Sequence, residues 1–286
     1  MKINDTTPDK HKFLQIVVNI PNPPKKLFYI GELPEHRVPT LAVVGTRKPT
    51  TYGVEVTNRL VGDLAGRGVV IVSGLALGVD ALAHKAALQA KGATLAVLPC
   101  GLNTIAPRTN RDLAIGILAH NGALISEHPA DAEVSWKSNM LARNRLVSGL
   151  SDAILITEAS ARSGTLNTAA HALAQGKTVF VVPGNITSPS SAGCNALLKQ
   201  GATPVTEAAD ILHVIAPHLV TVQNTLALGN NPLESQIIEL INNGLRDGEQ
   251  IQRELGLQTG EFNSALTMLE LSGAIRALGA NQWTLR

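Results

Sequence analysis

Six short apolar runs constrain the fold of this chain more than any other feature of its sequence. Most of them end at a glycine or proline and lead into an amphipathic helical pattern. The runs are LAVVG (41–45), VVIVSG (69–74), TLAVLPCG (94–101), ALISEHP (123–129), DAILITEA (152–159) and TVFVVPG (178–184). Continuous apolar strands alternating with helices indicate a mostly parallel sheet that is covered on both faces. Right-handed crossovers make such a sheet doubly wound, so we predict an α/β domain.

The last 55 residues have a different pattern. Residues 232–243, 248–255 and 261–272 are predicted helices, and the segments AIRAL and WTLR around a GANQ turn are predicted to form a hairpin. A helix–turn–helix followed by a two-stranded wing is a winged-helix pattern. We therefore expect four segments, namely a lead-in (1–40), the main domain (41–216), a linker (217–231) and a small winged-helix domain (232–286).

Composition limits the function classes that are open to the chain. Apolar residues make up 44% of the 286 residues, which suffices for a large core, whereas aromatic residues make up only 3%. A single-strand binder that works mainly by stacking bases needs more aromatic platforms than this. Residues 1–231 carry a net charge of +5 and residues 232–286 a net charge of −3. Any anion-binding face is therefore expected on the main domain.

The two cysteines, Cys100 and Cys194, lack a Cys or His neighbour at the spacing of metal ligands. We interpret them as free thiols of a reducing compartment, and we expect no metal site. No apolar run reaches the roughly 18 residues that span a membrane, and the N-terminus is not a convincing signal peptide. The sequence thus predicts a cytoplasmic protein that does not enter a membrane.

Four glycine-containing strand-to-helix turns are candidate anion sites, and two of them carry candidate binding residues. The first, GTRKPTTYG (45–53), places Gly45, Thr46 and Arg47 before a predicted helix, and the second places Ser163 and Gly164 at another helix start. Free N–H groups at a helix N-terminus attract anions. Neither turn is a Walker A loop or a GxGxxG motif. An ordinary strand-to-helix turn with a solvated arginine remains the alternative.

The segment WKSNMLARNRLVSGLS (136–151) sets Arg143 and Arg145 on either side of Asn144. Two guanidiniums so close together on a mainly apolar element are costly unless an anion meets them. Arginine is suited to multi-donor recognition of phosphate. With the two turns, this segment indicates a surface that holds a polyanion.

The acidic residues and histidines do not form a convincing catalytic set. Asp80 is expected to hold a loop or cap a helix, and His84 to be a structural histidine. Glu127 and His128 are adjacent, but neighbours on a strand point to opposite faces. We therefore predict no catalytic residues.

These segments resemble the DNA-processing protein A family (DprA/Smf) over residues 27–215. The resemblance rests on LFYIGELP, VVGTRKPTTYG, SGLALGVDALAH, SEHP, ARNRLVSGLSDAILITEASARSGTLNTAAHALAQGK and VFVVPG…SAGCNALLKQGA. It implies an extended Rossmann-like domain and a single-stranded DNA-binding protein of the bacterial cytoplasm. Such proteins protect incoming DNA in natural transformation, load the RecA recombinase onto it and act as homodimers. They are not known as enzymes, and no cofactor is implied.

The same resemblance implies a set of DNA-facing residues. These are Gly45, Thr46, Arg47, Lys137, Arg143, Asn144, Arg145, Ser163 and Gly164. The chain departs from the family pattern at Met140 and Leu141, where an aromatic residue and a proline are usual. It departs again at Asn103 and Ala106, where Asp and Tyr are usual.

Two alternatives differ in class. A nucleotide phosphoribohydrolase of related fold would carry PGGxGTxxE, but ARSGTLNTA here has no Glu after the Gly-Thr. A small-nucleotide sensor would bind a mononucleotide tightly and signal through the winged helix. The second helix of that module presents Glu261 and Glu270 and neither Lys nor Arg, so phosphates would repel it and a protein contact is the favoured role.

Overall fold

The computed structural model describes residues 2–132, 136–220, 231–279 and 281–285, with side chains within the second range described from residue 138. The chain divides into two compact units, Met1–Val220 and Thr221–Arg286. None of the described helices is long and apolar enough to cross a membrane.

A nine-stranded sheet forms the centre of the first unit. Its strands are β1 (Asn4–Thr6), β2 (Leu27–Gly31), β3 (Thr40–Val44), β4 (Val70–Ser73), β5 (Thr94–Val97), β6 (Ala123–Ser126), β7 (Ala153–Ile156), β8 (Thr178–Val181) and β9 (Thr203–Pro204). Their order is β1-β2-β6-β5-β4-β3-β7-β8-β9. All pairs from β6 to β9 are parallel, and only β1–β2 and β2–β6 are antiparallel. The predicted mostly parallel sheet is confirmed.

Seven α-helices cover the sheet in the part of the chain that the structure describes. They are α1 (Thr51–Gly66), α2 (Val79–Gln89), α3 (Arg111–Ala119), α4 (Trp136–Gly149), α5 (Thr165–Ala174), α6 (Ala192–Lys199) and α7 (Ala208–Ile215). The central strand β3 shows why its sequence is apolar throughout. Leu41 and Val43 pack with residues of α1, α2 and α7, whereas Ala42 and Val44 pack with residues of α4, α5 and α6. Alternate side chains point to opposite faces, so burial on both faces requires an unbroken apolar run.

The chain reverses its direction of travel through the sheet beside β3. From β3 it proceeds through β4 and β5 to β6, and it then returns to β7 on the other side of β3. The carboxyl ends of β3 and β7 are therefore neighbours at a topological switch point. Ligands of open α/β sheets bind in the crevice at such a point.

The N-terminal segment contributes more than the predicted lead-in. β1 and β2 extend the sheet beyond β6, and the helical turn Leu14–Asn19 buries Leu14 and Val17 against it. An exposed β6 would present unpaired backbone groups, and β2 satisfies them. The sequence pattern also missed β9 and α7.

The second unit has its own apolar core. It contains α8 (Pro232–Asn242), α9 (Gly248–Leu255), α10 (Thr259–Leu271) and an antiparallel hairpin of β10 (Ile275–Gly279) and β11 (Gln282–Leu285). Ile237, Ile251, Phe262 and Leu266 lie at its centre. Gly256 ends α9 in the left-handed conformation, which suits glycine. The predicted winged helix is confirmed.

Candidate nucleic-acid interface

A cavity of about 460 Å³ opens at the switch point. α4 forms one wall, and the turns that follow β3, β4 and β7 form the others. Its lining comprises Val44, Gly45, Thr46, Arg47, Ala76, Asp80, Met140, Leu141, Arg143, Asn144, Val147, Ser160, Ser163, Gly164, Thr165 and Thr168. The fold thus brings together the two glycine-containing turns and part of the Arg-Asn-Arg run.

The turn after β3 is fastened to its neighbours through its backbone. Thr46 N donates to Glu158 O at 2.8 Å, and Thr46 O accepts from Val79 N at 3.1 Å. Gly45 has no room for a side chain, because a Cβ would lie 2.6 Å from Val79 Cγ2. Arg47 is exposed at the rim, and its Nη2 lies 3.3 Å from Met140 Sδ. Its guanidinium is therefore held over the cavity with its charge available to a ligand.

The buried side chain of Glu158 stabilises the same turn. It is 2% exposed and accepts hydrogen bonds from Thr50 N and Thr50 Oγ1, both at 2.8 Å. Thr50 in turn caps α1 by accepting from Gly53 N. The carboxylate is thus engaged in shaping the turn and does not line the cavity of the switch point.

The N-terminus of α5 faces the cavity. Ser163 Oγ accepts from Thr165 N at 3.2 Å and donates to Thr165 Oγ1 at 2.9 Å. Gly164 is exposed, and a Cβ there would contact nothing within 4 Å. The first turn of this helix is accordingly approachable, and its N–H groups and dipole favour an anion.

Arg143 lines the floor of the cavity and is almost completely buried there. It is 5% exposed, and its Nη1 donates to Gly74 O at 2.6 Å and also to Val97 O. Burial lowers its pKa, and the charge of Asp80 opposes that shift. The sequence predicted a contact with an external anion, whereas the structure gives this guanidinium partners within the chain.

The structural role predicted for Asp80 is confirmed. Its Oδ2 accepts from Gly74 N at 3.1 Å and Ala76 N at 3.4 Å, so it holds the turn after β4. Burial raises its pKa, and the charge of Arg143 acts in the opposite direction. Together Asp80 and Arg143 fix both backbone groups of Gly74.

His84 is likewise structural, as predicted. It is fully buried, and its Nδ1 lies 2.7 Å from Thr94 Oγ1. The Thr94 hydroxyl donates its proton to Ile71 O, so it must accept from the imidazole, which places the histidine proton on Nδ1. Burial lowers the pKa of His84 to about 3, with a smaller contribution from the charge of Arg143.

Asn144 and Arg145 point in directions different from that of Arg143, because successive residues of a helix are rotated by about 100°. Asn144 lines the cavity and donates to Asn167 Oδ1 at 3.2 Å. Arg145 lies outside the lining and forms a bidentate ion pair with Glu127, at 3.0 and 2.6 Å. Glu127 is thus committed to a cation and does not act with His128. The predicted contact of Lys137 lies outside the described side chains.

Sequence reasoning missed two features of this site. Ser160 lines the cavity from the turn after β7, and Lys48 is exposed next to Arg47. Both residues lie within a few positions of a strand end, and this position was the sequence signal that could have identified them.

Two positions where the chain departs from the family pattern are accommodated within the first unit. Ala106 is buried in an apolar cluster, and Asn103 Nδ2 donates to Asp131 Oδ1 at 2.5 Å.

Family models match both parts of the chain. The model of DNA recombination-mediator protein A matches residues 5–216, and that of the DprA winged helix domain matches residues 223–281. The chain belongs to the DNA recombination-mediator protein A family. The resemblance noted from the sequence is confirmed, and it extends to the winged helix.

Relatives within the family are similar over about two thirds of this chain. Protein Smf of Escherichia coli (strain K12) is 49% identical over 189 residues, which cover 66% of this chain and 50% of that protein. DNA processing protein DprA of Bacillus subtilis (strain 168) is 40% identical over 195 residues, covering 68% of this chain and 65% of that one. The matched region thus spans about half to two thirds of the length of these relatives.

Solved structures of family members share the fold. The crystal structure of DprA from Streptococcus pneumoniae superposes with a TM-score of 0.69 at 34% identity and covers 75% of each chain. DNA processing protein A from Helicobacter pylori, reported for its single-stranded DNA binding mode, gives a TM-score of 0.66 at 34% identity. That match covers 76% of this chain and 97% of the other.

Proposed function

We propose that this chain binds single-stranded DNA with little sequence preference at the switch-point cavity. One observation carries the proposal: the exposed guanidinium of Arg47 and the approachable N-terminus of α5 face one cavity. Both attract phosphate, and neither reads a base. The single-stranded DNA binding of the Helicobacter pylori protein supports the same ligand class.

The ionisable groups of the site favour binding over catalysis. Among the described residues that line the cavity, Asp80 is the one carboxylate, and it is committed to backbone N–H groups. In the PGGxGTxxE pattern of a phosphoribohydrolase, the catalytic Glu is the third residue after the Gly-Thr pair. Here the third residue after Gly164-Thr165 is Thr168, which is 2% exposed. The arrangement holds an anion without offering it a general acid or base, so a non-enzymatic role is the better proposal.

The test is fluorescence anisotropy of a labelled oligo-dT across a salt series, with matched duplex as competitor. We expect micromolar or tighter binding that prefers single strands. The logarithm of the affinity should fall linearly with the logarithm of salt, with a slope of about −0.7 for each phosphate contacted. Failure to bind at low salt, or complete displacement by micromolar mononucleotide, would contradict the proposal and favour a small-nucleotide sensor.

The biological role that we propose is protection of incoming DNA and loading of the RecA recombinase by a cytoplasmic homodimer. The test is a strand-coating assay in which oligonucleotide is first covered by single-strand-binding protein. Adding the chain should shorten the lag before DNA-dependent ATP hydrolysis by RecA and should slow nuclease digestion of the strand. An unchanged lag would contradict the loading role, and a monomeric mass in sedimentation would contradict the dimer.

A further inference from the structure

A second cavity, of about 410 Å³, lies on the other side of the turn that follows β3. Its lining comprises Thr50, Tyr52, Glu158, Pro183, Gly184, Asn185, Ser188 and Ser191. Thr46 and Arg47 line the first cavity, whereas Thr50 and Tyr52 line the second. A single short turn therefore separates the two cavities, and its exposed residues are Arg47, Lys48 and Thr50. A chain of phosphates crossing from one cavity to the other would pass over two cationic side chains.

Tyr52 is the prominent side chain of the second cavity. It is 45% exposed, more than any other aromatic side chain that the structure describes. Its hydroxyl donates to Pro183 O at 2.8 Å, which fixes one end of the ring. Burial raises its pKa, as do the charges of Cys194, Glu158 and Glu55, so the hydroxyl stays protonated at neutral pH. A ring held in place and half open to solvent is suited to stacking.

The ring also borders a third cavity, of about 280 Å³, which Glu55, Val56 and Arg59 help to line. Tyr52 is thus the shared wall of the second and third cavities. Arg59 is exposed and lines this third cavity together with Tyr52. The third cavity therefore adds a cationic side chain beyond Arg47 and Lys48.

Two acidic residues lie near Tyr52. Glu158 lines the second cavity and Glu55 lines the third, and the charges of both act on the Tyr52 hydroxyl by raising its pKa. Negative charge disfavours a phosphate near the ring, while a neutral base carries no such penalty. The described lining of the first cavity contains no aromatic residue. If a bound DNA strand extends along the carboxyl edge of the sheet, a base can therefore stack on an aromatic side chain of the first unit only outside the first cavity.

We infer that the single strand continues from the first cavity across Arg47 and Lys48 into the second cavity, where a base stacks on Tyr52. This inference rests on the proposed function and adds to it a path for the DNA strand and a residue that contacts a base. This path, the track, follows the carboxyl edge of the sheet from α4 toward β9. It is sequence-tolerant, because every base has a face that can stack on an aromatic ring.

The experiment combines mapping with matched variants of the full chain. An oligo-dT carrying 5-iododeoxyuridine at successive positions is photocrosslinked, and the modified residue is identified by mass spectrometry. Affinities for oligo-dT and for an abasic oligomer of equal length are measured for Tyr52→Leu, with Tyr52→Phe as the variant that retains the ring. Thermal unfolding of each variant checks that the fold is intact.

We expect a crosslink at Tyr52. Tyr52→Leu should weaken oligo-dT binding roughly 5- to 50-fold, while Tyr52→Phe should stay within about threefold of the parent. Neither variant should change the binding of the abasic oligomer or the salt slope. If the parent binds oligo-dT but Tyr52→Leu binds equally well and the crosslinks lie elsewhere, the track is wrong and the proposed function stands. If the parent does not bind, both fail together.

Discussion

Arg143 Nη1 donates to the carbonyl oxygen of Gly74 at 2.6 Å, across 69 residues of sequence. The approach is so close that a Cβ on Gly74 would lie 2.5 Å from the guanidinium nitrogens. Asp80 accepts from the N–H of the same glycine, so the pair holds the turn after β4 from both of its backbone groups. The cavity of the switch point keeps its shape through this contact between α4 and the sheet.

Arg143→Ala is therefore expected to act first on stability. Its removal leaves Asp80 as a buried carboxylate without its cation, and it leaves two buried carbonyl oxygens without a donor. Leaving buried polar groups without a partner in this way costs about 1–3 kcal/mol for each group. Urea unfolding measures the loss. Arg67→Ala is the control, because its ion pair with Asp63 is partly exposed at the surface and is worth under about 1 kcal/mol. Equal stability of the two variants would contradict the buried role of Arg143.

Arg47→Ala is expected to weaken DNA binding and to leave the stability of the fold almost unchanged. Its guanidinium is exposed at the rim, so its loss should leave the unfolding free energy within about 0.5 kcal/mol of the parent. Oligo-dT binding should weaken roughly tenfold at low salt. The salt slope should become shallower by about 0.7, the value for one phosphate contact on a single strand. Arg67 serves again as the control, because it follows α1 at the opposite edge of the sheet. A parental salt slope in Arg47→Ala would mean that Arg47 does not contact phosphate.

Arg145 provides an internal comparison with Arg47. Its Nη1 and Nη2 pair with Glu127, and its Nε donates to Asn22 O at 2.9 Å. Arg145→Ala should therefore cost about 1.5–3 kcal/mol of stability, the range for hydrogen bonds to charged groups. The salt slope should stay at the parental value. A slope that becomes shallower as much as in Arg47→Ala would show that Arg145 leaves Glu127 to bind DNA.

The sequence predicted the sheet well because its signals are local. Each apolar run and the glycine after it identify a strand and its carboxyl end without reference to the rest of the chain. The sequence also predicted that Thr46 and Ser163 line the same cavity, because adjacent parallel strands have their carboxyl ends at one edge of the sheet. β1 and β2 were missed because β2 pairs antiparallel with the free side of β6, about 95 residues further along the chain, and β1 pairs in turn with β2.

The orientation of Arg143 could not be predicted in the same way. Its partners are backbone carbonyl oxygens of Gly74 and Val97, 69 and 46 residues away, and any sequence supplies such groups. Which face of α4 meets them depends on how the helix packs against β4 and β5. The pattern of residue types therefore predicted that the three arginines lie at the site. It could not predict that Arg143 lies at the floor of the cavity, that Arg145 pairs with Glu127 and that Arg47 lies at the rim.

His84 should make the stability of the first unit depend on pH. In the folded chain its pKa is about 3, against an ordinary value of 6.5. Between these values the unfolded chain binds a proton that the native chain does not, so stability rises with pH in this window. The contribution is complete above pH 6.5 and is lost as pH falls toward 3. From pH 7.5 to pH 5 the loss amounts to about 2 kcal/mol. His84→Gln should unfold with a weaker pH dependence over this range than the parent. In the parent, ¹⁵N NMR should show a neutral imidazole protonated on Nδ1 down to pH 5. A His84 resonance that titrates near pH 6.5 in the folded protein would contradict this assignment.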